Sequence, residues 1–427
     1  MFKTLRNAWA IPDLRHKMLY TLLMIFIFRL GSFIPVPGLR EGALASLMAD
    51  VSGGGNNLFS MLDAFSGGAF ANATIFAMSI TPYVNSSIIM QLLTVAIPAL
   101  ERLSKEGEEG RKVIAKWTRF GTVILAFIQA TGLYFLLESY IMIPGVWGYI
   151  AITFTFTAGT AFLMWLGEQI TEKGVGNGIS IIIFSGIVSG IPTMISEITK
   201  NFAAGGLNIW SVVAIVVVSL IMVTFVVFMD NAERRIPVQY AKRMVGRKMY
   251  GGQSTHIPIK VAMAGVIPII FAMSIMSFPA TIMGFIGYTP GAGFWGKFWS
   301  MFTQTSWVYM LLYFLLIVFF TYFYTAIQFN PIEISNNMKR NGGFVPGIRP
   351  GRPTSEYISK ILTRITLTGA LFLGIIAVLP MILSQVISFN FYAIGGSSLL
   401  IVVGVALETT KQIESQMLMR HYKGFLE

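Results

Sequence analysis

Hydroxyl and amide side chains inside apolar stretches are the residues of this sequence best suited to specific chemistry. They concentrate between Asn57 and Pro98, and six of them interrupt one apolar run: Thr81, Asn85, Ser86, Ser87, Gln91 and Thr94. A spanning helix needs about 20 residues, and this run is long enough. Polar or irregular segments survive at membrane depth only beside protein or water. The pattern favours a segment that lines a cavity; a re-entrant loop that merely packs between helices is the alternative.

The same stretch begins with a piece too short to cross a bilayer. Residues 58–65 can form two helical turns with an apolar face of Leu58, Leu62 and Phe65. Gly67 and Gly68 then break the helix. The sequence predicts a second span that begins at about Phe70 and contains Pro82.

Catalytic chemistry is poorly represented. Asp63 is the only aspartate expected near membrane depth, so two carboxylates cannot share a site as in an intramembrane aspartyl protease. The predicted spans hold no histidine or lysine to serve as the base of a serine protease. The chain has no cysteine and no metal-binding or phosphate-binding motif, so we expect no enzyme, no metal and no cofactor. A lining of hydroxyls, amides and apolar groups suits a passive conduit.

The overall composition indicates the class of fold that holds these residues in place. The chain has 427 residues, of which 55% are hydrophobic and 12% charged, against about 25% charged in a soluble domain. This predicts an all-α polytopic membrane protein. Ten spans are expected, at about residues 18–34, 70–98, 117–137, 149–166, 179–195, 209–229, 261–285, 308–329, 361–383 and 392–407.

Charge distribution predicts the topology. All but four of the 31 lysines and arginines fall on one side of the predicted spans, the exceptions being Arg29, Arg40, Lys200 and Lys297. The positive-inside rule places that side, and both termini, in the cytoplasm. Five spans precede residue 200 and five follow it, so residues 1–200 and 201–427 are expected to be two inverted halves, with the working path between them. Arg29 lies inside the first span, where either snorkelling or a functional role would explain a costly charge.

Two cytoplasmic loops, at about 230–260 and 330–360, are strongly basic. They hold six arginines of interest: Arg234, Arg235, Arg243, Arg247, Arg349 and Arg352. Topological charge alone would explain their number. The sequence Gly-Ile-Arg-Pro-Gly around Arg349 favours a rigid docking tip instead, and a large ribonucleoprotein or an acidic cytosolic motor would both suit it.

Several long motifs resemble the SecY family, the pore subunits of the bacterial protein-translocation channel. They are GSFIPVPG, TPYVNSSIIMQLLT, GEQITEKGVGNGISIIIF, QSTHIPIKVAMAGVIPIIFA and GGFVPGIRPGRPT, in the family's order along the whole chain. The resemblance implies an hourglass pore between two inverted five-helix halves in the bacterial plasma membrane. It also implies SecE and SecG as partner subunits, SecA or a translating ribosome at the cytoplasmic loops, and signal sequences and nascent polypeptides as clients released to lipid through a lateral gate.

The resemblance also assigns residues. The apolar pore ring falls on Ile80, Val84, Ile179, Ile183, Ile270 and Ile401, with Val84 where the family more usually has isoleucine. The plug falls on residues 58–68, including Leu58, Leu62, Phe65, Ser66, Gly67 and Gly68. The lateral gate falls on Asn85, Gln91, Ser274 and Phe278, and Arg349 falls on the loop arginine that couples the channel to its motor.

Two other functions remain alternatives. A secondary transporter for an apolar or amphipathic solute is the closer one, although proton- or ion-coupled transporters normally bury carboxylates along their path. A membrane scaffold without transport would leave the polar second span unexplained.

Overall fold

A computed structural model describes residues 2–40, 42–46, 63, 66–143, 145–205, 208–240, 243–245, 248–250, 254–286, 301, 306–387 and 396–423. Helices dominate this part of the chain. The longer ones are α1 Phe2–Ala10, α2 Pro12–Gly31, α3 Thr81–Ala96, α4 Pro98–Lys105, α5 Glu108–Leu136, α6 Val146–Lys173, α7 Gly178–Ala203, α8 Ile209–Asn231, α9 Ile267–Ile286, α10 Trp307–Gln328, α11 Pro331–Arg340, α12 Arg352–Ile387 and α13 Gly396–Lys423.

Each of the ten predicted spans overlaps at least one of these helices over part of its length. Among the described residues, six helices are long and apolar enough to cross a membrane on their own, or seven if the bent pair α3 and α4 counts as one. The chain is therefore a multi-pass membrane protein by composition and length. The number ten stays a prediction, because α2, α9 and α13 do not meet that standard in the described residues.

The second span differs from the prediction at its beginning. Residues 67–80 form turns rather than helix, and α3 begins only at Thr81. Ala73 and Ser79 have φ of 48° and 53°, which an α-helix cannot contain. The backbone here pairs with the end of the first span instead: Val36 N donates to Ala73 O at 2.9 Å, and Ile75 N donates to Ile34 O at 3.0 Å. These bonds satisfy buried backbone groups that a helix would otherwise satisfy.

Two prolines lie at helix starts rather than in the middle of spans. Pro82 lies in the first turn of α3 rather than in the middle of a span. Pro268 likewise follows the first residue of α9, after turns over residues 261–266. Proline lacks an N–H, and the first turn of a helix leaves its N–H groups unpaired, so both prolines mark helix starts.

Buried apolar side chains form separate clusters on the two sides of residue 200. One large cluster draws on α8, α9, α10, α12 and α13, with Ile88 of α3 as its only fully buried member from before residue 200 among the described residues. A second cluster draws on α2, α6, α7 and the chain around Ile80, and it is completed by Ile401 and Val405 of α13. Helix α13 contacts both α7 and α8, so it joins the two groups. The division into inverted halves stays a prediction.

The two basic loops contain short strands, whereas their sequence predicted only basic loops. Strand β1 (Glu233–Tyr240) pairs antiparallel with β4 (Ser254–Lys260) and with β5 (Gly343–Phe344). Strands β2 (Arg243–Val245) and β3 (Lys248–Tyr250) form a separate hairpin. The two loops therefore build one module, which we call the loop module, over a buried core that includes Ile236, Val238, Ile259, Met338 and Val345.

Candidate functional site

The six predicted ring residues come together in one apolar cluster. Ile80, Ile183 and Ile401 are buried there, each less than a tenth exposed, and Val84, Ile179 and Ile270 are partly buried against them. They come from four separate segments of the chain, three of which include a helix start.

Local sequence explains how the ring residues are presented. Asn177 caps α7, because its Oδ1 accepts from the N–H of Ile179 at 3.1 Å and of Ser180 at 3.3 Å. Ile179 and Ile183 then lie four residues apart on one face of that helix. Ile80 and Val84 are related in the same way at the start of α3, where Val84 N donates to Ile80 O at 3.1 Å. Fixed helix starts therefore aim β-branched, rotationally restricted side chains into one cluster.

Such a cluster can exclude water without binding a solute. Branched apolar side chains offer no hydrogen bond to a passing polypeptide, and an apolar constriction can gate by dewetting. That these residues encircle a pore stays a prediction.

The two helices assigned to the lateral gate touch. Ile88 of α3 lies in the same buried cluster as Ile269 and Met273 of α9. Asn85 is 4% exposed, and its side-chain Oδ1 has no hydrogen-bond partner among the described residues. A buried unpaired acceptor costs about 1–3 kcal/mol, so α3 carries a built-in penalty at this position.

The structure says less about the other three residues assigned to the gate. Ser274 is half-buried on α9, whereas Gln91 is exposed near the end of α3, outside the buried contact. Phe278 lies within the bounds of α9, but its side chain lies outside the described residues.

The glycine break is held by a dense set of hydrogen bonds. Ser66 is fully buried; its hydroxyl donates to Asp63 O and accepts from Phe70 N, each at 3.0 Å. Asp63 also accepts from Ala71 N through Oδ1 at 2.7 Å. Gly67 and Gly68 have φ of 68° and 85°, which non-glycine residues rarely adopt. The apolar plug residues Leu58, Leu62 and Phe65 lie outside the described residues.

Arg29 turns toward this break. Its Nη1 donates to Gly67 O at 2.7 Å and to Ser189 Oγ of α7 at 3.1 Å. Snorkelling to the membrane surface therefore does not describe this side chain. Arg29 stands out in the sequence because of its charge, but nothing in the sequence indicates Ser189 as its partner.

The loop module presents the predicted docking arginines. Arg349 is exposed on a turn between Gly347 and Gly351, whose φ values are 81° and 100°. Two side-chain hydrogen bonds anchor that turn at its centre and its C-terminal end: Thr354 Oγ1 donates to Arg349 O at 2.8 Å, and Ser335 Oγ donates to Gly351 O at 2.7 Å. The tip is therefore a rigid support for an exposed guanidinium.

The other docking arginines are less uniform. Arg352 is exposed and pairs with Glu356 at 3.0 Å beside a groove of about 770 Å³ between α11 and α12. Arg234 and Arg235 are exposed on β1, where Arg235 pairs with Glu233 at 2.7 Å. Arg243 lies in β2 with its side chain outside the described residues, and Arg247 lies wholly outside them.

Sequence comparison places this arrangement among known proteins. The family model for SecY matches residues 74–410. The protein translocase subunit SecY of Halalkalibacterium halodurans is 48% identical over the full length of both chains. Those of Streptomyces scabiei and Thermotoga maritima are 46% and 43% identical over the full length of this chain, and over 100% and 98% of theirs.

Solved structures share the fold at lower identity. A protein-conducting channel superposes with a TM-score of 0.65 at 17% identity, covering 94% of this chain and 92% of its own. A SecY protein whose plug domain stabilises the closed state of the translocation channel gives a TM-score of 0.63 at 17% identity, with the same coverage. Sec61 in the canine ribosome-channel complex gives 0.61 at 16% identity, covering 94% and 92%.

Proposed function

The chain belongs to the SecY family, and from that premise we propose that it forms the pore of a protein-conducting channel. Unfolded secretory polypeptides cross the bacterial plasma membrane through it, and membrane segments leave it laterally into lipid. It acts as a translocase subunit rather than as an enzyme.

One observation carries the pore assignment: all six ring residues meet in a single apolar cluster although they are spread from residue 80 to residue 401. The path runs through this cluster, which holds back ions at rest by excluding water. Because the side chains donate and accept no hydrogen bonds, polypeptides of different sequence slide past with similarly weak contacts. The residues assigned to the plug, 58–68, close the path from one side.

The lateral gate is the contact between α3 and α9. Opening it separates Ile88 from the apolar side chains of α9 and gives the buried oxygen of Asn85 access to water or to a client chain. The second event offsets part of the cost of the first, because the unpaired oxygen then gains a partner. Asn85 thus lowers the barrier to opening, and Ser274 and Phe278 complete the facing surface.

The loop module is the docking site for the machine that supplies energy. A SecA motor or a translating ribosome binds there, since exposed arginines pair well with carboxylate and phosphate. Arg349 makes the central contact, and the arginines at positions 234, 235, 243, 247 and 352 surround it. SecE and SecG complete the complex, and both termini lie in the cytoplasm because the basic loops do.

Reconstitution tests this function. The chain with its SecE and SecG partners is placed in liposomes, and a purified SecA motor, ATP and a secretory preprotein are added. We expect the preprotein to become resistant to external protease. Liposomes holding the same complex without ATP are the control, and a preprotein that stays fully protease-sensitive with intact complex and active motor would refute the proposal.

A further inference from the structure

Arg29 occupies an unusual position for a charged residue. It lies on α2 in the first predicted span, where a charge is costly unless it is paired or hydrated. Its guanidinium is half-buried and lies 5.0 Å from the centre of the Phe33 ring. The same nitrogen donates to the carbonyl of Gly67 and to the hydroxyl of Ser189, so one group ties α2 to the glycine break and to α7.

The partners of Arg29 are themselves fixed. Ser189 donates its hydroxyl hydrogen to Gly186 O at 2.7 Å, which leaves its oxygen free to accept from Arg29. Gly67 is buried and has no room for a side chain, because a Cβ there would collide with Ser189 Oγ and would lie 3.1 Å from Nη1 of Arg29. The close approach of the three groups thus depends on the glycine at position 67.

We propose that Arg29 is a positioning residue that locks the glycine break, and with it the buried state of Ser66, in the resting channel. The inference rests on the proposed channel function, in which this break is the described end of the plug. When the break moves, the guanidinium loses a charge-assisted acceptor inside an apolar region. Hydrogen bonds to charged groups of this kind are worth about a ten- to hundredfold shift in such an equilibrium.

The lock also couples the break to α7, the helix that carries Ile179 and Ile183 of the ring. A polypeptide that pushes these residues apart displaces Ser189 and weakens the hold on Gly67. Arg29 therefore links widening of the ring to release of the break. No other described side chain donates to Gly67 O.

Thiol protection measures the lock directly, because the chain has no cysteine of its own. Ser66→Cys introduces a single buried thiol beside the break, and Thr321→Cys introduces a matched buried thiol in α10. In the reconstituted resting complex, Arg29→Gln should raise the rate of maleimide modification at position 66 about ten- to hundredfold. The rate at position 321 should not change, and Arg29→Lys, which keeps a charged donor, should restore part of the protection.

Two further variants make the test decisive. Arg364→Gln, at an exposed arginine of α12, should leave both rates unchanged. Ser189→Ala removes one of the two acceptors and should raise modification at position 66 by a smaller, two- to tenfold factor. If Arg29→Gln does not assemble, the Ser189→Ala result decides alone.

Unchanged protection at position 66 in Arg29→Gln, or in Ser189→Ala where only that variant assembles, would overturn the lock. Equal rises at positions 66 and 321 would also overturn it, because they would indicate general loosening of the fold. Preprotein transport by the unsubstituted complex is measured in the same liposomes, so failure of the lock is distinguished from failure of the channel function.

Discussion

Replacement of Ile401 by asparagine is the most informative single change in the proposed ring. Ile401 is 2% exposed and lies in the cluster that unites all six ring residues. Removing a buried branched side chain forfeits about 1.5–3 kcal/mol of apolar burial. An amide left unpaired in its place adds about 1–3 kcal/mol.

Only the part of this penalty that opening relieves shifts the resting equilibrium. In the open channel water reaches the amide, so at least the unpaired-amide component disappears. A change of 1–3 kcal/mol corresponds to about a 5- to 150-fold larger open fraction. We therefore expect Ile401→Asn to give frequent openings in a resting complex that is otherwise silent, and to let clients with poor signal sequences cross more easily.

Single-channel current of the resting complex in a planar bilayer is the assay. Ile401→Leu keeps volume and apolarity and should stay silent. Ile376→Asn places the same amide at an equally buried isoleucine of the other large cluster, so it should lower thermal stability without current. Combining Val84→Asn with Ile401→Asn should be non-additive, because the two residues share one aperture. A silent Ile401→Asn complex with unaltered client choice would refute the ring.

Three further predictions concern the gate, the docking tip and the plug. Asn85→Leu removes the unpaired buried oxygen and should stabilise the closed gate by about 1–3 kcal/mol, which slows transport of clients with weak signal sequences. The same substitution at the exposed Asn201 of α7 is its control, and equal rates for Asn85→Leu and the unsubstituted chain would contradict the prediction. Arg349→Glu should abolish most motor-driven transport at an unchanged melting temperature, whereas Arg340→Glu in the same module should leave transport intact. Normal transport by Arg349→Glu would show that Arg349 serves only the positive-inside topology and not docking. Deleting residues 58–65 should leave a folded complex that leaks ions, because burial of Leu58, Leu62 and Phe65 would contribute only about 1.5–3 kcal/mol each to stability. An unfolded product would show that the segment belongs to the core rather than to a plug.

Hydropathy predicted where the helices lie, and it failed where backbone pairing competes with helix formation. The chain before α3 is apolar enough for a span, yet Ala73 and Ile75 hydrogen-bond to the end of the first span instead. That pairing joins segments about 40 residues apart, so no local pattern reveals it. Pro82 was the available signal, since proline is favoured at a helix start and not in its interior.

The strands of the loop module had a signal that charge obscured. Ile236 and Val238 flank Pro237, and Ile257 and Ile259 flank Pro258, so the apolar residues of each pair lie two positions apart. This spacing is the period of a half-buried strand. The pairing of β1 with β5 links residues about 100 apart and could not be predicted locally.

For the candidate site too, the sequence predicted some features, and others became visible only in the fold. The family resemblance assigned six residues to a ring, and the structure brings them together in one cluster, although hydropathy alone would treat each as ordinary core packing. Their role as a pore ring stays a prediction. Arg29 stood out by its charge, whereas Ser189 and the carbonyl of Gly67 became visible as partners only through the fold. Residue type alone does not show which backbone carbonyl or which hydroxyl a buried charge will contact.

Disulfide capture of a stalled client tests the central claim most directly, because the chain carries no native thiol. A preprotein with one cysteine is arrested midway in the reconstituted complex, and cysteine is placed at Ile183 of the ring or at Ile376 of the other cluster. We expect an oxidised cross-link from position 183, dependent on motor and ATP, and none from position 376. Cross-linking from position 376 but not from position 183 would show that polypeptides take a different path.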